Sequence, residues 1–146
     1  MDELDVTILN QLKLNARASA SEISRQINLS VPVVVERIRK LEASGTIAQF
    51  TIKIDRASQG YHLLAFITVV LDHTQNILPF REAICRCPNV LECHHLAGTA
   101  DYMLKVLVRN TLELEDFLMN TLKKIDGVVS SNTFISLSTL KEEINI

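Results

Sequence analysis

The run from Leu63 to Leu71 is apolar at every position except Thr68. It is about half the length that a helix needs to cross a bilayer. Its β-branched and aromatic side chains favour an extended chain. In a strand, successive side chains point to opposite faces. Leu64, Phe66 and Val70 then share one face, and Leu63, Ala65, Ile67, Val69 and Leu71 share the other. Both faces are apolar, so a sheet built around this strand needs cover on both sides.

The rest of the second half says which sheet. Residues 61–71 read as a first strand, and Ile77, Phe80 and Ile84 space as a short helix. Residues 90–96 and 101–108 read as two more strands. Leu114, Phe117, Leu118 and Ile125 mark a second helix, and residues 128–138 read as a last strand. The order β-α-β-β-α-β is the ferredoxin-like pattern, with both helices on one face of a four-stranded sheet. The other face is most simply covered by a second copy. That implies an obligate dimer or a larger assembly, with Leu63, Ile67 and Val69 expected at the contact. Cover by the sheet's own loops is the alternative.

The first part of the chain is helical. Leu4, Ile8 and Leu12 recur every four residues, behind Asp2 as a cap. Ser19 and Glu22 have the spacing of a capping box and open a short helix with Ile23 and Ile27. Asn28 and Leu29 turn the chain. Ser30 is expected to cap a third helix, with Pro32 in its first turn, Val34, Ile38 and Leu41 buried, and Gly45 beyond its end. Residues 47–54 alternate polar and apolar and read as a strand. The polar residues 55–60 mark a boundary. The expected division is 1–54 as one domain, 55–60 as a hinge and 61–146 as a second domain.

Charge separates the two parts. Between Lys13 and Lys40 there are six basic residues and two acidic ones, whereas after Arg56 seven basic residues face ten acidic ones. The first domain is therefore the one suited to a polyanion, although the net charge is −2. Hydrophobic residues make up 47% and charged residues 22%, the balance of a globular chain. Three cysteines, an odd number, and the acidic start Asp2, Glu3 and Asp5 fit neither a disulfide framework nor a secretory or transit signal. The expectation is a soluble, reduced, cytoplasmic protein with no membrane segment.

Three helices with a short turn before the third, followed by a strand, match a winged helix-turn-helix. In that motif the third helix enters the major groove. Arg37, Arg39 and Lys40 spread along its flank, where they can meet phosphates. The plainer reading is a solvated helix face with Glu36 and Glu42 as ion-pair partners.

Several stretches together carry a specific likeness. They are Leu4-Asp5 with Ile8-Leu9, Leu29-Ser30, the run from Glu36 through Arg37, Ile38, Arg39, Lys40 and Leu41 to Glu42, then Gly45, Ile47 and Phe50. In the second half they are the run from Gly98 through Thr99, Ala100, Asp101, Tyr102, Met103, Leu104 and Lys105 to Val106, and later Asp126-Gly127-Val128. The chain resembles the Lrp/AsnC family, the feast/famine transcription regulators, along nearly its whole length. The resemblance implies an α+β protein with an N-terminal winged helix-turn-helix and a C-terminal ferredoxin-like regulatory domain of the RAM type. It implies binding to double-stranded DNA, an amino acid effector held between protomers, and homodimers that assemble further, to an octamer in the family pattern. It also implies a place at the nucleoid.

The DNA-contacting set expected on this reading is Arg25, Ser30, Val31, Val33, Val34, Arg37, Arg39 and Lys40. Relatives often carry polar residues where this chain has valines. A valine can offer a base only an apolar contact, such as with a thymine methyl. Specificity would then lean on Ser30, the arginines and DNA bending. The effector set is Gly98, Thr99, Ala100, Asp101 and Tyr102, joined through the resemblance by Phe134 and Ser136. A Gly-containing turn can offer amides to a carboxylate, and Asp101 can face an ammonium. An ordinary hairpin turn, with Asp101 bonding its own backbone, is the other reading of the same residues. Thr99 and Ala100 stand where some relatives have an acidic and an aromatic residue.

Cys85, Cys87, Cys93, His94 and His95 are the residues to weigh as a metal site. One residue between Cys85 and Cys87 is too few for the usual zinc pairing, and neighbours in a strand point apart. No metal and no cofactor is expected. No Gly-rich phosphate loop and no nucleophile with an identifiable base are present, so an enzyme is not expected. Two alternatives to a regulator fit the same residues. One is an architectural protein that wraps DNA with little sequence preference. The other is a small-molecule-binding module with weak DNA binding.

Overall fold

The computed structural model describes residues 1–145. Its contacts divide the chain into two compact units. One comprises Met1–Ile54 with the residues from Glu143 onward, and the other comprises Asp55–Glu142.

Three helices build the first unit: α1 (Glu3–Leu14), α2 (Ala20–Ile27) and α3 (Val31–Ala43). Reciprocal capping boxes open the first two. The Asp2 carboxylate accepts from the Asp5 amide at 2.9 Å, and the Asp5 carboxylate accepts from the Asp2 amide at 3.0 Å. Ser19 and Glu22 repeat the arrangement at α2, with 3.2 and 2.6 Å. Asn28 ends α2 in the left-handed region, φ 57°. Ser30 does occupy the N-cap of α3, but its hydroxyl makes no capping bond, so the cap is one of position only. Ile8, Leu12, Ile23, Val34 and Leu41 form the core, with Ile27, Leu29, Ile38 and Ile47 packed against it. Each fully buried aliphatic side chain there contributes roughly 1.5–3 kcal/mol.

The strand expected at 47–54 is not formed. Those residues have no regular secondary structure, and Phe50, Ile52 and Ile54 are exposed. The alternating pattern is present, but a strand is held by hydrogen bonds to a neighbour. Among the described residues this unit supplies none.

The second unit has the expected βαββαβ order: β1 (Leu63–Leu71), α4 (Ile77–Cys85), β2 (Val90–His95), β3 (Tyr102–Val108), α5 (Thr111–Asp116) and β4 (Val128–Ile135). The helix begun by α5 runs on through one π turn, Phe117–Thr121, and a 3-10 turn, Leu122–Lys124. The sheet order is β2-β3-β1-β4, all antiparallel. This is the ferredoxin-like topology. Gly127 precedes β4 with φ 89°, and a Cβ there would run into the Asn76 side chain. Its carbonyl accepts from the Asp72 amide at 2.9 Å, which fastens the start of β4 to the end of β1.

Ala65, Ile67 and Val69 of β1 are fully buried with Leu104, Val106, Phe80, Ile84, Leu114, Phe117 and Leu122. Ile67 and Val69 therefore lie under the helices. This corrects the expectation that they, with Leu63, form an assembly contact. The open face is the other one. It carries Leu64, Phe66 and Val70 from β1, Met103 and Leu107 from β3, and Phe134 opposite Phe66. Lys105, in register with Phe66, stands within this face, 15% exposed, and donates to Glu92 and Glu142 at 2.9 Å each. Arg56 reaches the same Glu142 carboxylate at 3.7 Å. No helix among the described residues is long and apolar enough to cross a membrane.

Candidate functional site

The faces of α3 are set by its core contacts. Val34 and Leu41 point inward, and at 3.6 residues per turn the outward face falls to Val35, Glu36, Arg39 and Lys40. Val31, Val33 and Val35 are exposed, by 40 to 51%. Val34 is 0% exposed and is removed from the DNA-contacting set, because a side chain that completes the core cannot also reach a base. Arg39 and Lys40 are well exposed and share one partner, the Glu36 carboxylate, at 2.8 and 3.8 Å. The Arg39 hydrogen bond holds the Glu36 carboxyl below the usual range. Arg25 is exposed on α2, where its Nε donates to the Ser21 carbonyl at 3.2 Å.

Arg37 departs from expectation. Its Nη1 donates to both Asp2 oxygens, at 2.9 and 2.8 Å, and to Asp5 at 2.7 Å. The guanidinium is thus a clamp between α3 and the start of α1, not a ligand offered to a phosphate. The capping bond from the Asp5 amide first, and then Arg37, hold the Asp2 carboxyl below its ordinary range. Asp5 is lowered by the Asp2 amide and then by Arg37. The acidic first turn is visible in the sequence, but its partner stands more than thirty residues away.

In the second unit, residues 96–101 connect β2 to β3, and hydrogen bonds hold the connection at both ends. The Leu96 amide donates to the Asp101 carbonyl at 2.8 Å, and the Asp101 amide donates to the Val69 carbonyl at 2.9 Å. The Asp101 carboxylate accepts from the Leu71 amide at 2.7 Å. It therefore bonds the neighbouring strand, not its own turn. Gly98 has open space around its Cα and is not among the glycines with positive φ. Thr99 is exposed and Ala100 half-buried.

Tyr102 is a core residue, 2% exposed, with Phe80 at 4.8 Å between ring centroids. Phe134 is half exposed on the open face, and Ser136 donates its amide to the Leu64 carbonyl. The turn is fastened at the Val69–Leu71 end of β1, whereas Ser136 lies at the Leu64 end. At about 3.4 Å per residue these ends are roughly 20 Å apart. A single chain does not bring the two halves of the effector set together.

Sequence reasoning missed two groups in this unit. Lys105 with Glu92 and Glu142 is a paired cation on a face read as apolar. Arg81 and His95 flank the turn and touch Tyr102. Neither has a periodicity to betray it, since the partners come from different elements. The cysteines are free, and no group of three or more metal-ligating side chains comes together among the described residues. Burial raises the Cys87 and Cys93 thiols above the ordinary range.

Residues 1–42 match the AsnC-type helix-turn-helix domain, and residues 64–146 match the Lrp/AsnC ligand binding domain. The HTH-type transcriptional regulator LrpC of Bacillus subtilis is 34% identical over 121 residues, 83% of each chain. The leucine-responsive regulatory protein of Rhizobium meliloti is 26% identical over all of this chain and 95% of its own. Among solved structures, a transcriptional regulator of Neisseria meningitidis in complex with L-Met superposes with a TM-score of 0.94. It is 26% identical over 100% of this chain and 96% of that one. The AsnC protein of E. coli superposes with a TM-score of 0.92, also at 26% identity, over 98% of this chain and 96% of that one. These relatives are regulators, not enzymes, and the chain belongs to the Lrp/AsnC family of transcriptional regulators.

Proposed function

We propose that this regulator recognises specific double-stranded DNA sites through residues 1–54 and responds to an amino acid bound through residues 61–146, with residues 55–60 as the hinge. The observation that supports this most is the juxtaposition, in one chain, of an exposed α3 flank with a ligand-binding-type domain whose Neisseria counterpart is in complex with L-Met. On DNA, Arg25, Arg39 and Lys40 meet phosphates, and Ser30 and the exposed Val31, Val33 and Val35 meet base edges. Glu36 must release Arg39 and Lys40 as phosphates replace it.

For the effector, the amides near Gly98 and Thr99 face the carboxylate, and a carbonyl of the turn faces the ammonium. Ala100 lines the turn, and Phe134 and Ser136 are supplied by a second copy. The open face, centred on Phe66 and Phe134, is the natural contact between copies, and dimers join into a larger assembly at the nucleoid in the cytoplasm. Thermal-shift screening with the twenty amino acids tests the effector, because a ligand of the native state raises its apparent stability. Footprinting across several promoters tests the DNA reading, with one short protected site expected. The three exposed valines favour a second reading, an architectural protein of low sequence preference. Long, phased protection would select it.

A further inference from the structure

On the helix side of the sheet, at the foot of the 96–101 turn, three side chains form a closed set. Arg81 of α4 donates from Nε to the Tyr102 hydroxyl at 2.8 Å, and its guanidinium lies 5.6 Å from the centre of the Tyr102 ring. His95 stacks on the same ring at 5.0 Å, and its Nδ1 is 3.4 Å from Arg81 Nη2. His95 and Tyr102 are cross-strand partners, the last pair before the chain turns.

Partner chemistry divides the cations of this unit. In the same unit Lys105, Arg56 and Arg86 each face a carboxylate. Arg109 lies over the Tyr61 ring. Glu82, beside Arg81 in sequence, turns to Arg86. Arg81 has only neutral partners among the described residues, and those partners leave donors over. Arginine can only donate, so His95 Nδ1 is the acceptor where the two side chains meet. The Tyr102 oxygen accepts from Arg81 and keeps its own proton to donate. Among the described residues Arg81 makes its contacts through Nε and Nη2, and none is made by Nη1. These donors are held in place by a tyrosine that is 2% exposed, and a guanidinium fixed beforehand loses little freedom when it meets a planar oxyanion.

We propose that Arg81, with His95 and Tyr102, is the seat for a second carboxylate at the foot of this turn, and that the effector is an amino acid with an acidic side chain. The proposal rests on the reading that an amino acid binds at residues 98–102. The turn amides then take the α-carboxylate, and Arg81 takes the one on the side chain in a charge-assisted pair. A neutral isostere would leave the guanidinium unpaired.

Calorimetric titration of the full chain with aspartate, asparagine, glutamate and glutamine tests this. One acid should bind about tenfold to a hundredfold more tightly than its amide. Arg81→Gln should weaken binding of the acid far more than of the amide, so that the ratio of the two falls towards one, and Arg81→Lys should recover part of the difference. Equal binding of acid and amide, or tighter binding of a neutral amino acid, overturns the proposal and leaves the effector reading standing. Failure of all four to bind overturns the proposal, and the thermal-shift screen with the twenty amino acids then decides the effector reading. If Arg81→Gln does not fold, the ratio of acid to amide in the unmodified protein still decides.

Discussion

Arg37 of α3 and Asp5 of α1, 32 residues apart, meet at 2.7 Å, and the same guanidinium nitrogen bonds Asp2. Arg37→Ala should lower the unfolding midpoint of the first unit yet leave the salt dependence of DNA binding unchanged. The folded state depresses the Asp2 and Asp5 carboxyls. Their contribution is therefore complete above the ordinary carboxylate range and is lost as pH falls through the depressed values. Thermal melts below about pH 4 should show less additional loss in Arg37→Ala than in the unmodified protein.

Arg39 and Lys40 should behave in the opposite way. Removing either should reduce the slope of log affinity against log salt by about 0.9, with little change in stability. Glu36→Gln should tighten DNA binding at low salt, because the competing carboxylate is gone. Fluorescence anisotropy over a salt series reads both. A slope indifferent to Arg39 and Lys40 would move the DNA contact off this flank.

Helix starts were legible because caps act locally. Asp2, Ser19 and Ser30 all mark starts, and Asp2 and Ser19 lie within a few residues of the amides they cap. The strands were legible through period two, and β1 announced its two apolar faces. Which face lies under the helices depends on the path of α4 and α5, and no local pattern encodes it. The alternation at 47–54 is real, but a strand needs a neighbour, and the sequence does not say whether one exists. The candidate site divides in the same way. The exposed residues of α3 follow from helical period. The engagement of Arg37 with α1, of Asp101 with β1 and of Tyr102 with Arg81 arises only when distant elements meet.

The Asp101 carboxylate serves the Leu71 amide. Asp101→Ala should therefore cost about 1–3 kcal/mol of stability by leaving that amide unpaired, besides any effect on the effector response. Asp101→Asn, which keeps an acceptor oxygen, should recover most of the stability. Chemical denaturation of both variants separates the structural role from a ligand role, because only a ligand role leaves Asp101→Asn stable but unresponsive.

The two faces of β1 should respond differently to charge. Ile67→Lys buries an unpaired ammonium under the helices and should unfold the second unit. Phe66→Glu lies on the open face and should leave the circular dichroism of the chain unchanged while reducing its mass in sedimentation. An unaltered sedimentation profile for a folded Phe66→Glu chain would show that this face does not join copies.

The most direct measurement is a titration of promoter DNA with the full chain at increasing concentrations of each amino acid, paired with effector binding with and without DNA. One amino acid should shift the DNA-binding midpoint, and DNA should shift that amino acid's affinity by the same factor, as linkage requires. A DNA-binding curve that no amino acid moves would contradict the account of this chain as an amino-acid-responsive regulator.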